Sequence, residues 1–524
     1  MLQMSAPSTP APLRLDEFIL RHALTRPASA ALSQGEVSLN YGQLADCVDQ
    51  VCAHLRQQGV QAGARVACLS FNAWEMIVVL LALSRLGGVL APLNFRLAAA
   101  EWDQLMQDCQ PRLVLHDTHW REQACDLASR HAVPACSFDA LCTPSRVASG
   151  QAATAATNIS CSEVAMARAA AAERQATDAA TDPRPVLLVY TSGTTGSPRA
   201  AVHTQAQLMA NMQAACASMA LTHDDHVLTV LPLFHVGGLC IQTLPALGEG
   251  AQVTLQARFD PQAMLDTIGQ ARIGLTVVVP AVMKALIEHP RWWQADLRSL
   301  RCVMAGSSHL PPVLVQAFVD RGVPLGNVYG ATETGPFSIA LVGDTERLLQ
   351  GACGWPAAGV QARLGHLEGA EPRMGEVWLR GPALVQHYWP DRPALDEQGW
   401  FHSGDVARVD EDGCWTIVGR SKDMIISGGE NIYPAEIEIL LAQHPAVAEC
   451  AVVGLPDARW GERVVAVVVL RDTPPISDDE LLARVRERLA RYKHPREVFR
   501  WEALPKTALG KVQKAVLKER LSAP

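Results

Sequence analysis

The chain has 524 residues, of which 49% are apolar and 19% are charged, and its formal net charge is −8. A chain of this length exceeds what one hydrophobic core organises, so we expect two or more domains. The apolar share is ordinary for a globular enzyme, and the negative charge argues against a nucleic-acid-binding protein, because such a protein needs a broad basic face opposite the phosphates.

The cysteines and the amino-terminal residues bear on the compartment. The 14 cysteines never form a C-x-x-C pair and stand mostly in apolar sequence, which predicts buried free thiols in a reducing cytoplasm. Residues 1–14 contain no basic segment followed by an apolar stretch, so we predict a disordered terminus without a secretory signal. The window from Met76 to Leu93 is apolar, but Arg85 and Gly87 interrupt it, which favours a buried helix over a membrane span. We therefore expect a cytoplasmic protein.

The first part of the chain predicts an α/β architecture. From Leu15 to Leu141, apolar helical stretches alternate with short β-rich runs such as Arg65 to Ser70 and Arg112 to His116. Residues 143–185 are instead rich in Ala, Thr and Ser and lose the amphipathic period. We predict a partly disordered surface insertion there, without a catalytic role, and leave open a lid or a partner contact.

A loop rich in glycine and hydroxyl residues follows the apolar run Val186 to Val189, which predicts a buried strand. Glycine lets backbone N–H groups turn toward an anion, and serine and threonine add side-chain donors. The loop has no Walker A pattern, and its basic residue, Arg199, comes after the glycines. Thr204 and Gln207 form a capping-box pattern that predicts a helix after the loop. A flexible surface loop is the alternative that composition alone leaves open.

The rest of the chain continues the layered pattern and then changes. Short strands near a predicted turn at residues 410–413 indicate a small barrel. A second, α+β domain begins near Arg420, where Pro434 suits the first turn of a helix and Ser477 with Glu480 predicts a capping box. The strands predicted between the loop and the barrel are Val227 to Val230, Gln252 to Leu255, Thr276 to Val279 and Arg301 to Ala305.

The string TSGTTG, followed by a proline and a basic residue, resembles the phosphate loop of the adenylate-forming superfamily of acyl-CoA synthetases, aryl-CoA ligases, peptide-synthetase adenylation domains and luciferases. The resemblance implies an α/β fold with a large amino-terminal domain of layered sheets and helices and a small β-barrel, over residues 15–419. It also implies a small, mobile α+β domain over residues 420–524. Four more blocks of the family occur in order: PLFHVGG (Pro232 to Gly238), YGATETG (Tyr329 to Gly335), the block from Gly399 to Glu438, and PKTALGK (Pro505 to Lys511).

The resemblance implies that ATP, with Mg²⁺, activates a carboxylic acid. Lys511 would bridge the carboxylate and the α-phosphate, Thr332 would bind the α-phosphate, and Glu333 would help to hold Mg²⁺. Asp405 and Arg420 would contact the ribose, and Tyr329 would stack on adenine. The other nucleotide-binding residues implied are Thr191, Ser192, Gly193, Thr194, Thr195, Gly196, Arg199, Gly306, Ser307, Ser308 and Gly330. The alternatives left open are a turn aspartate at Asp405, a solvated arginine at Arg420, a core tyrosine at Tyr329 and an exposed lysine at Lys511.

The second domain would supply the thiol step. Lys422 stands at the family's hinge position, so the domain would pivot and exchange Lys511 for Gly428 and Gly429. Those two glycines would leave a corridor for the pantetheine arm of CoA. Four residues would grip the nucleotide end of CoA, with a packing role as the alternative: Trp460, Tyr492, His494 and Arg496.

His235 bears on the acid. Amino-acid-activating relatives usually have aspartate after the corresponding phenylalanine, so His235 implies an acid without an α-amino group, with a hydrogen-bonded core histidine as the alternative. An apolar pocket would suit an aryl, cinnamyl-type or medium-chain acid. A ligase that loads a carrier protein, a non-catalytic homologue, a luciferase-type oxygenase and a homodimer stay open. The residues expected to line the pocket are Gly237, Gly238, Val279, Ala281, Met304, Phe337 and Ile339.

Two positions depart from the family pattern. Arginine replaces the usual lysine at Arg199, and serine replaces threonine at Ser403 in FHSGD. Arginine keeps the charge and can form paired hydrogen bonds to phosphate oxygens, and serine keeps the hydroxyl. We therefore expect an active enzyme.

Overall fold

The computed structural model describes residues 14–142, 182–191, 199–306, 310–367, 371–427, 430–457, 459–471, 476–507 and 511–522. Several predictions fall outside these ranges: the terminus up to residue 13, residues 143–181 of the insertion, Ser192 to Gly196, Ser307, Ser308, Gly428 and Gly429. The chain divides into two compact units, Met1–Phe259 with Pro382–Ala394, and Asp260–Gly381 with Leu395–Pro524.

The first unit contains an eight-stranded sheet. Its central strands are parallel and apolar, and strand Arg65–Leu69 pairs with strand Val89–Pro92 on one side and Leu113–His116 on the other. Strands buried on both faces need such continuous apolar runs. In spatial order the strands are Arg392–Pro393, His387–Tyr388, Arg199–Thr204, Pro185–Thr191, Val89–Pro92, Arg65–Leu69, Leu113–His116 and Ala135–Ser137.

Helices and a second group of strands complete this unit. The strands, in spatial order, are His226–Thr229, Gln252–Leu255, Ala30–Gln34 and Val37–Asn40. The helices are Leu15–Thr25, Tyr41–Gln57, Trp74–Leu86, Ala99–Cys109, Arg121–Arg130, Gln205–Met219, and a run of Val236–Gly238, the π-helical Leu239–Thr243 and Leu244–Glu249.

The apolar window from Met76 to Leu93 begins in the buried helix Trp74–Leu86, as predicted, and continues into strand Val89–Pro92. Ten residues of the helix are buried, which explains an apolar composition on all faces. The helix ends where Gly87 adopts a left-handed conformation, with φ of 70°, which residues with a Cβ adopt at a steric cost. Among the described residues, no helix is long and apolar enough to cross a membrane.

The glycine-rich loop joins two antiparallel strands, Pro185–Thr191 and Arg199–Thr204. The second strand was not predicted, because a run of only six residues after a glycine loop carries little local signal and is stabilised by pairing with the first strand. The predicted helix start is confirmed: the Thr204 side chain accepts a hydrogen bond from the Gln207 N–H, and Gln207 returns one to the Thr204 backbone. This capping box begins helix Gln205–Met219.

Within the described residues, the second unit contributes strands to three sheets. The first has the order Trp355–Pro356, Ile339–Val342, Leu325–Tyr329, Cys302–Gly306 and Leu275–Val278. The four strands predicted between the loop and the barrel are found in the two units within one residue of their predicted bounds. The predicted barrel is a four-stranded antiparallel sheet, hereafter the small sheet, of Gln361–Gly365, Met374–Arg380, Phe401–Val409 and Trp415–Arg420, in this order.

The C-terminal part of the second unit is α+β. The predicted capping box is present, because the Ser477 side chain accepts a hydrogen bond from the Glu480 N–H and Glu480 returns one. Its sheet has the order Glu430–Ile432, Ile425–Ser427, Gly461–Leu470 and Val447–Asp457, with Glu497–Arg500 also paired to Gly461–Leu470. The helices of the unit are Pro261–Ala271, Pro280–Glu288, Pro312–Val319, Thr345–Leu349, Pro434–Ala442, Asp478–Arg488 and Lys514–Ser522. The predicted fold class, a large α/β amino-terminal part and a small C-terminal domain, is confirmed.

Candidate active site

The carboxylate of Asp405 is the centre of a polar cluster in the second unit. Asp405 lies on strand Phe401–Val409 of the small sheet and is 7% exposed. The Tyr329 hydroxyl donates to its Oδ2 at 2.8 Å, and Arg420 Nε lies 2.8 Å from its Oδ1. Burial, followed by the nearby Asp405 charge, raises the pKa of Tyr329 well above its ordinary value, so the hydroxyl stays protonated and donates. Asp405 is thereby held in one orientation as an acceptor.

Tyr329 ends a strand whose following residues approach the same cluster. Gly306 pairs with Val328 on the neighbouring parallel strand, so the two strands end at the same edge of the sheet. Open α/β sheets bind ligands at the carboxyl ends of their strands. At Gly330 a Cβ atom would lie 2.2 Å from the carbonyl oxygen of Pro336, so only glycine fits this close backbone approach. The turn Thr332–Thr334 follows and presents Glu333, while Thr332 is buried.

Lys511 lies within electrostatic range of three residues of this cluster. Its side chain is open to solvent, but protein atoms crowd the ammonium, and this desolvation, followed by the positive charge of Arg420, lowers the pKa of Lys511 below its ordinary value. Asp405 and Glu333 oppose the shift. The local chain is held by two hydrogen bonds with Thr507: its N–H donates to the Lys511 carbonyl at 2.7 Å, and its hydroxyl accepts from the Lys511 N–H at 3.2 Å. Three residues up to 178 positions away in the sequence therefore lie within electrostatic range of Lys511: Glu333, Asp405 and Arg420.

Two residues shape the Asp405 turn: Ser403, noted in the sequence only as a departure from the family pattern, and Glu376, which was not singled out. The Ser403 hydroxyl donates to the Val377 carbonyl at 2.7 Å and accepts from the Asp405 N–H at 3.0 Å. Glu376 accepts from the Gly404 N–H at 2.8 Å. Either a serine or a threonine hydroxyl can make both bonds of Ser403, which accounts physically for serine at this position. Glu376 carries no local signal, since it is one of several carboxylates on polar strand positions.

In the first unit, the structure describes the two ends of the glycine-rich loop. Thr191 pairs with Arg199 across the hairpin, and the Thr191 hydroxyl donates to the Arg199 carbonyl at 3.3 Å. The Arg199 guanidinium lies 5.9 Å from the centre of the Tyr388 ring. The hairpin thus holds both ends of the loop on the sheet.

His235 caps the short helix that follows it. Its Nδ1 accepts a hydrogen bond from the Gly237 N–H at 3.0 Å, so in the neutral ring the proton is on Nε2. The side chain is half-buried, and a π-helical turn begins three residues after Val236. Single π-helical turns in proteins are often found at functional sites.

In the C-terminal part, two cations lie close to the Trp460 ring. The guanidinium groups of Arg459 and Arg496 lie 4.8 and 4.6 Å from the centre of its ring. Tyr492 is 38% exposed, whereas His494 is half-buried and donates from Nε2 to the Leu489 carbonyl at 2.8 Å. Lys422 is exposed on the turn Ser421–Asp423.

The residues expected to line the acyl pocket differ in exposure. Met304, Phe337 and Ile339 are fully buried, while Ala281 is exposed at the start of helix Pro280–Glu288. The Met304 side chain covers its paired residue Gly326, where a Cβ would lie 2.3 Å from Sδ. Its position is therefore determined by packing within the sheet.

The cysteines in the described part of the chain are spread from Cys47 to Cys450. All cysteines there are free thiols and most are buried, as predicted. No group of three or more His, Cys, Asp and Glu side chains within these ranges could hold a metal ion.

Two family models match the chain. The model of the AMP-binding enzyme matches residues 19–389, and the model of the AMP-binding enzyme C-terminal domain matches residues 436–511. The chain belongs to the AMP-binding enzyme family. The matched ranges include the hairpin loop, the Tyr329 segment and Lys511, so the resemblance inferred from the motifs is confirmed.

Relatives of this AMP-binding enzyme are similar over nearly the whole chain. An indoleacetate–CoA ligase of Aromatoleum aromaticum is 40% identical and covers 96% of this chain and 97% of its own. A feruloyl-CoA synthase of Amycolatopsis is 37% identical, covering 97% and 99%. The crystal structure of ATP-bound MatB from Rhodopseudomonas palustris superposes with a TM-score of 0.82 at 28% identity, covering 97% of this chain and 99% of that one. This chain is an AMP-forming acid–thiol ligase.

Proposed function

We propose that the enzyme is an ATP-dependent carboxylate–CoA ligase that works in two half-reactions. In the first, a carboxylate oxygen attacks the α-phosphorus of ATP, the bond to the β-phosphate oxygen breaks, and pyrophosphate leaves. In the second, the CoA thiol loses its proton, its sulfur attacks the acyl carbon, and AMP leaves with the bridging oxygen. The observation that carries the proposal is the convergence of Lys511 with Glu333, Asp405 and Arg420.

Lys511 is the proposed catalytic cation of the first half-reaction. The attack brings a carboxylate toward a triphosphate, so negative charges must be brought together and stabilised. The pKa of Lys511 is lowered because the ammonium is partly desolvated and lies near Arg420. The opposite charge of a bound polyanion would offset both effects, so the site favours an anionic ligand electrostatically.

The nucleotide would be oriented by the Asp405 cluster. Asp405 would accept hydrogen bonds from the ribose hydroxyls, with Arg420 beside it, and the Tyr329 ring would pack on adenine. Two contacts from Tyr329 and Arg420 already fix the carboxylate, which preorganises the acceptor. The hairpin loop between Thr191 and Arg199 would bind the β- and γ-phosphates.

The donors present suit Mg²⁺ bound mainly through the nucleotide. Glu333 is a carboxylate close to Lys511, and Mg²⁺ is typically held by one or two carboxylates together with phosphate oxygens and water. Bound there, the ion would neutralise charge on the phosphate oxygens as pyrophosphate leaves. The role of Glu333 would be to orient it.

We propose an aryl or aryl-propenoic acid without an α-amino group as the substrate. The two relatives described above are named for indoleacetate and feruloyl groups, which are both aromatic. His235, in place of an acidic residue, offers no carboxylate for a substrate ammonium, and its capping bond with Gly237 fixes the ring. Medium-chain acids remain the comparison class for the assay.

CoA is the proposed thiol. The Trp460 ring, with Arg459 and Arg496 close to it, combines an aromatic surface with positive charge, which suits an adenine nucleotide with phosphates. The relatives are named as CoA ligases and synthases, which does not favour a carrier protein as acceptor. Lys422 is the proposed hinge, about which residues 420–524 would rotate to exchange Lys511 for Gly428 and Gly429.

The test measures AMP and pyrophosphate formation from ATP and Mg²⁺ with benzoates, cinnamates, arylacetates and linear C4 to C12 acids, with and without CoA. We expect AMP formation that requires CoA, with an aromatic acid giving the highest kcat/KM. Acid-dependent exchange of pyrophosphate into ATP, without turnover on CoA, would indicate a carrier-loading adenylase instead. Highest kcat/KM with linear acids would overturn the proposed aromatic class.

A further inference from the structure

Tyr433 joins the C-terminal part of the second unit to the small sheet. It immediately precedes helix Pro434–Ala442 and is 4% exposed. Its ring packs in a hydrophobic cluster with Met374, Val406 and Val418. These three residues belong to different strands of the small sheet, so a C-terminal side chain completes the core of a sheet that precedes it in the chain.

The strands in contact with Tyr433 also carry the ribose-site residues. Val406 is adjacent to Asp405, and Val418 lies two residues before Arg420. In the paired register Asp405 lies opposite Arg420. A ring inserted among these strands therefore determines where the C-terminal part lies relative to Asp405.

A second contact between the C-terminal part and the small sheet lies three residues after Tyr433, at Glu436. Glu436 is bound by Lys493 of the C-terminal part, whose Nζ lies 2.6 Å from its Oε2. Arg408, on the Asp405 strand, lies 3.6 Å from the other oxygen. Its guanidinium is half-exposed, so this ion pair is the weaker of the two contacts, and the Tyr433 ring is the main one.

The packing involves the ring of Tyr433 rather than its hydroxyl. The hydroxyl oxygen is buried and has no hydrogen-bond partner within the part of the chain that the structure describes. A buried hydroxyl without a partner contributes no favourable contact. Phenylalanine at this position should therefore preserve the arrangement.

We propose that Tyr433 is a positioning residue for Lys511, because its ring docks the C-terminal part in the arrangement that brings Lys511 beside Glu333 and Asp405. This inference rests on the proposed two-step function and names the contact that favours its first half-reaction. Rotation about Lys422 would withdraw the ring from the small sheet. Loss of the ring should therefore shift the balance away from adenylation, not abolish both half-reactions.

The experiment compares Tyr433→Ala, Tyr433→Phe and Leu441→Ala. Leu441 is fully buried in the C-terminal core on the same helix, among residues of that core alone, so its variant controls for general loosening of the domain. Adenylation is measured as pyrophosphate exchange, and the second step as acyl-CoA formed from supplied acyl-AMP. We expect adenylation by Tyr433→Ala to fall roughly ten- to hundredfold. This is the change in the equilibrium between the two arrangements that the burial free energy of one large side chain would produce. Its thioester step should be unchanged or faster.

Tyr433→Phe should match the wild-type enzyme in both steps. Leu441→Ala should lower the unfolding temperature without changing the ratio of the two rates. Equal loss of both steps in Tyr433→Ala, or the same rate ratio as in Leu441→Ala, would overturn the positioning role. If Tyr433→Ala does not fold, Tyr433→Leu replaces it with a smaller expected shift of the same ratio. Absence of acid-dependent AMP formation by the wild type would instead refute the proposed function itself.

Discussion

Two clusters of charge, one in each unit, differ in how their cations are satisfied. In the first unit Asp16 is 1% exposed and lies between Arg14, at 3.1 Å, and Arg85, at 2.8 Å. Arg85 also binds Asp49, and these carboxylates raise its pKa despite its burial. In the second unit Lys511 lies beside another cation, Arg420, and its pKa is lowered.

The surrounding charges indicate a structural network around Asp16 and Arg85 and a binding site around Lys511. Opposite charges that satisfy each other stabilise both ionised forms, and such a network has no need of a further ligand. Two cations brought together with partial desolvation are instead stabilised by an added anion. A perturbed pKa alone does not distinguish the two cases, so the assignment rests on which charges surround each cation.

The largest expected effect is on stability, in the first cluster. Arg85→Met would leave the buried Asp16 with Arg14 as its ion-pair partner, and removing one partner of a buried pair costs about 3–5 kcal/mol. Urea unfolding should show this loss, while adenylation per folded molecule stays at the wild-type level. The double variant with Asp16→Leu should recover much of the stability. A purely kinetic defect in Arg85→Met would contradict the structural assignment.

Lys511→Ala should show the converse behaviour. Removing a cation that acts on transition-state charge costs about 10²- to 10³-fold in rate, so pyrophosphate exchange should collapse. Unfolding should be unchanged or slightly later, because a partly desolvated charge is removed. Thioester formation from supplied acyl-AMP should be nearly normal, and its equal loss would contradict the alternation of two arrangements. Lys511→Arg is the control that keeps the charge.

The smallest expected effect concerns Glu75, a carboxyl group of the first unit with a shifted pKa, and tests whether its role is structural. Burial raises the pKa of Glu75 to about 7, with Asp139 and Asp117 adding to the shift. The folded state therefore holds a proton that the unfolded chain releases, and this contribution to stability is lost as the pH rises through about 7. Glu75→Gln should stabilise by about 1–2 kcal/mol at alkaline pH, allowing for the partial exposure of the side chain, and have little effect near pH 5.

Unfolding curves at both pH values, with adenylation measured alongside, decide the point. Loss of adenylation in Glu75→Gln at unchanged stability would show a functional acid outside the proposed site. That result would also contradict the assignment of a structural role to the charged groups of the first unit and a binding role to those of the second.

Local sequence determined the features whose partners lie within a few residues. The capping boxes of Thr204 with Gln207 and Ser477 with Glu480 formed as predicted. The buried helix ending at Gly87 did so as well. The two capping boxes and the glycine that ends the helix each depend on one turn of backbone and on side chains that reach it locally.

Tertiary structure decided the features that need distant strands in register. The motif resemblance singled out Asp405, Tyr329 and Lys511, but their convergence depends on strand pairing and on the docking of the C-terminal part. Asp405 lies 76 residues from Tyr329 and 15 from Arg420, and Tyr433 lies 15 to 59 residues from its contacts in the small sheet. No short-range pattern encodes them, because close packing selects a partner by shape and register across the whole fold.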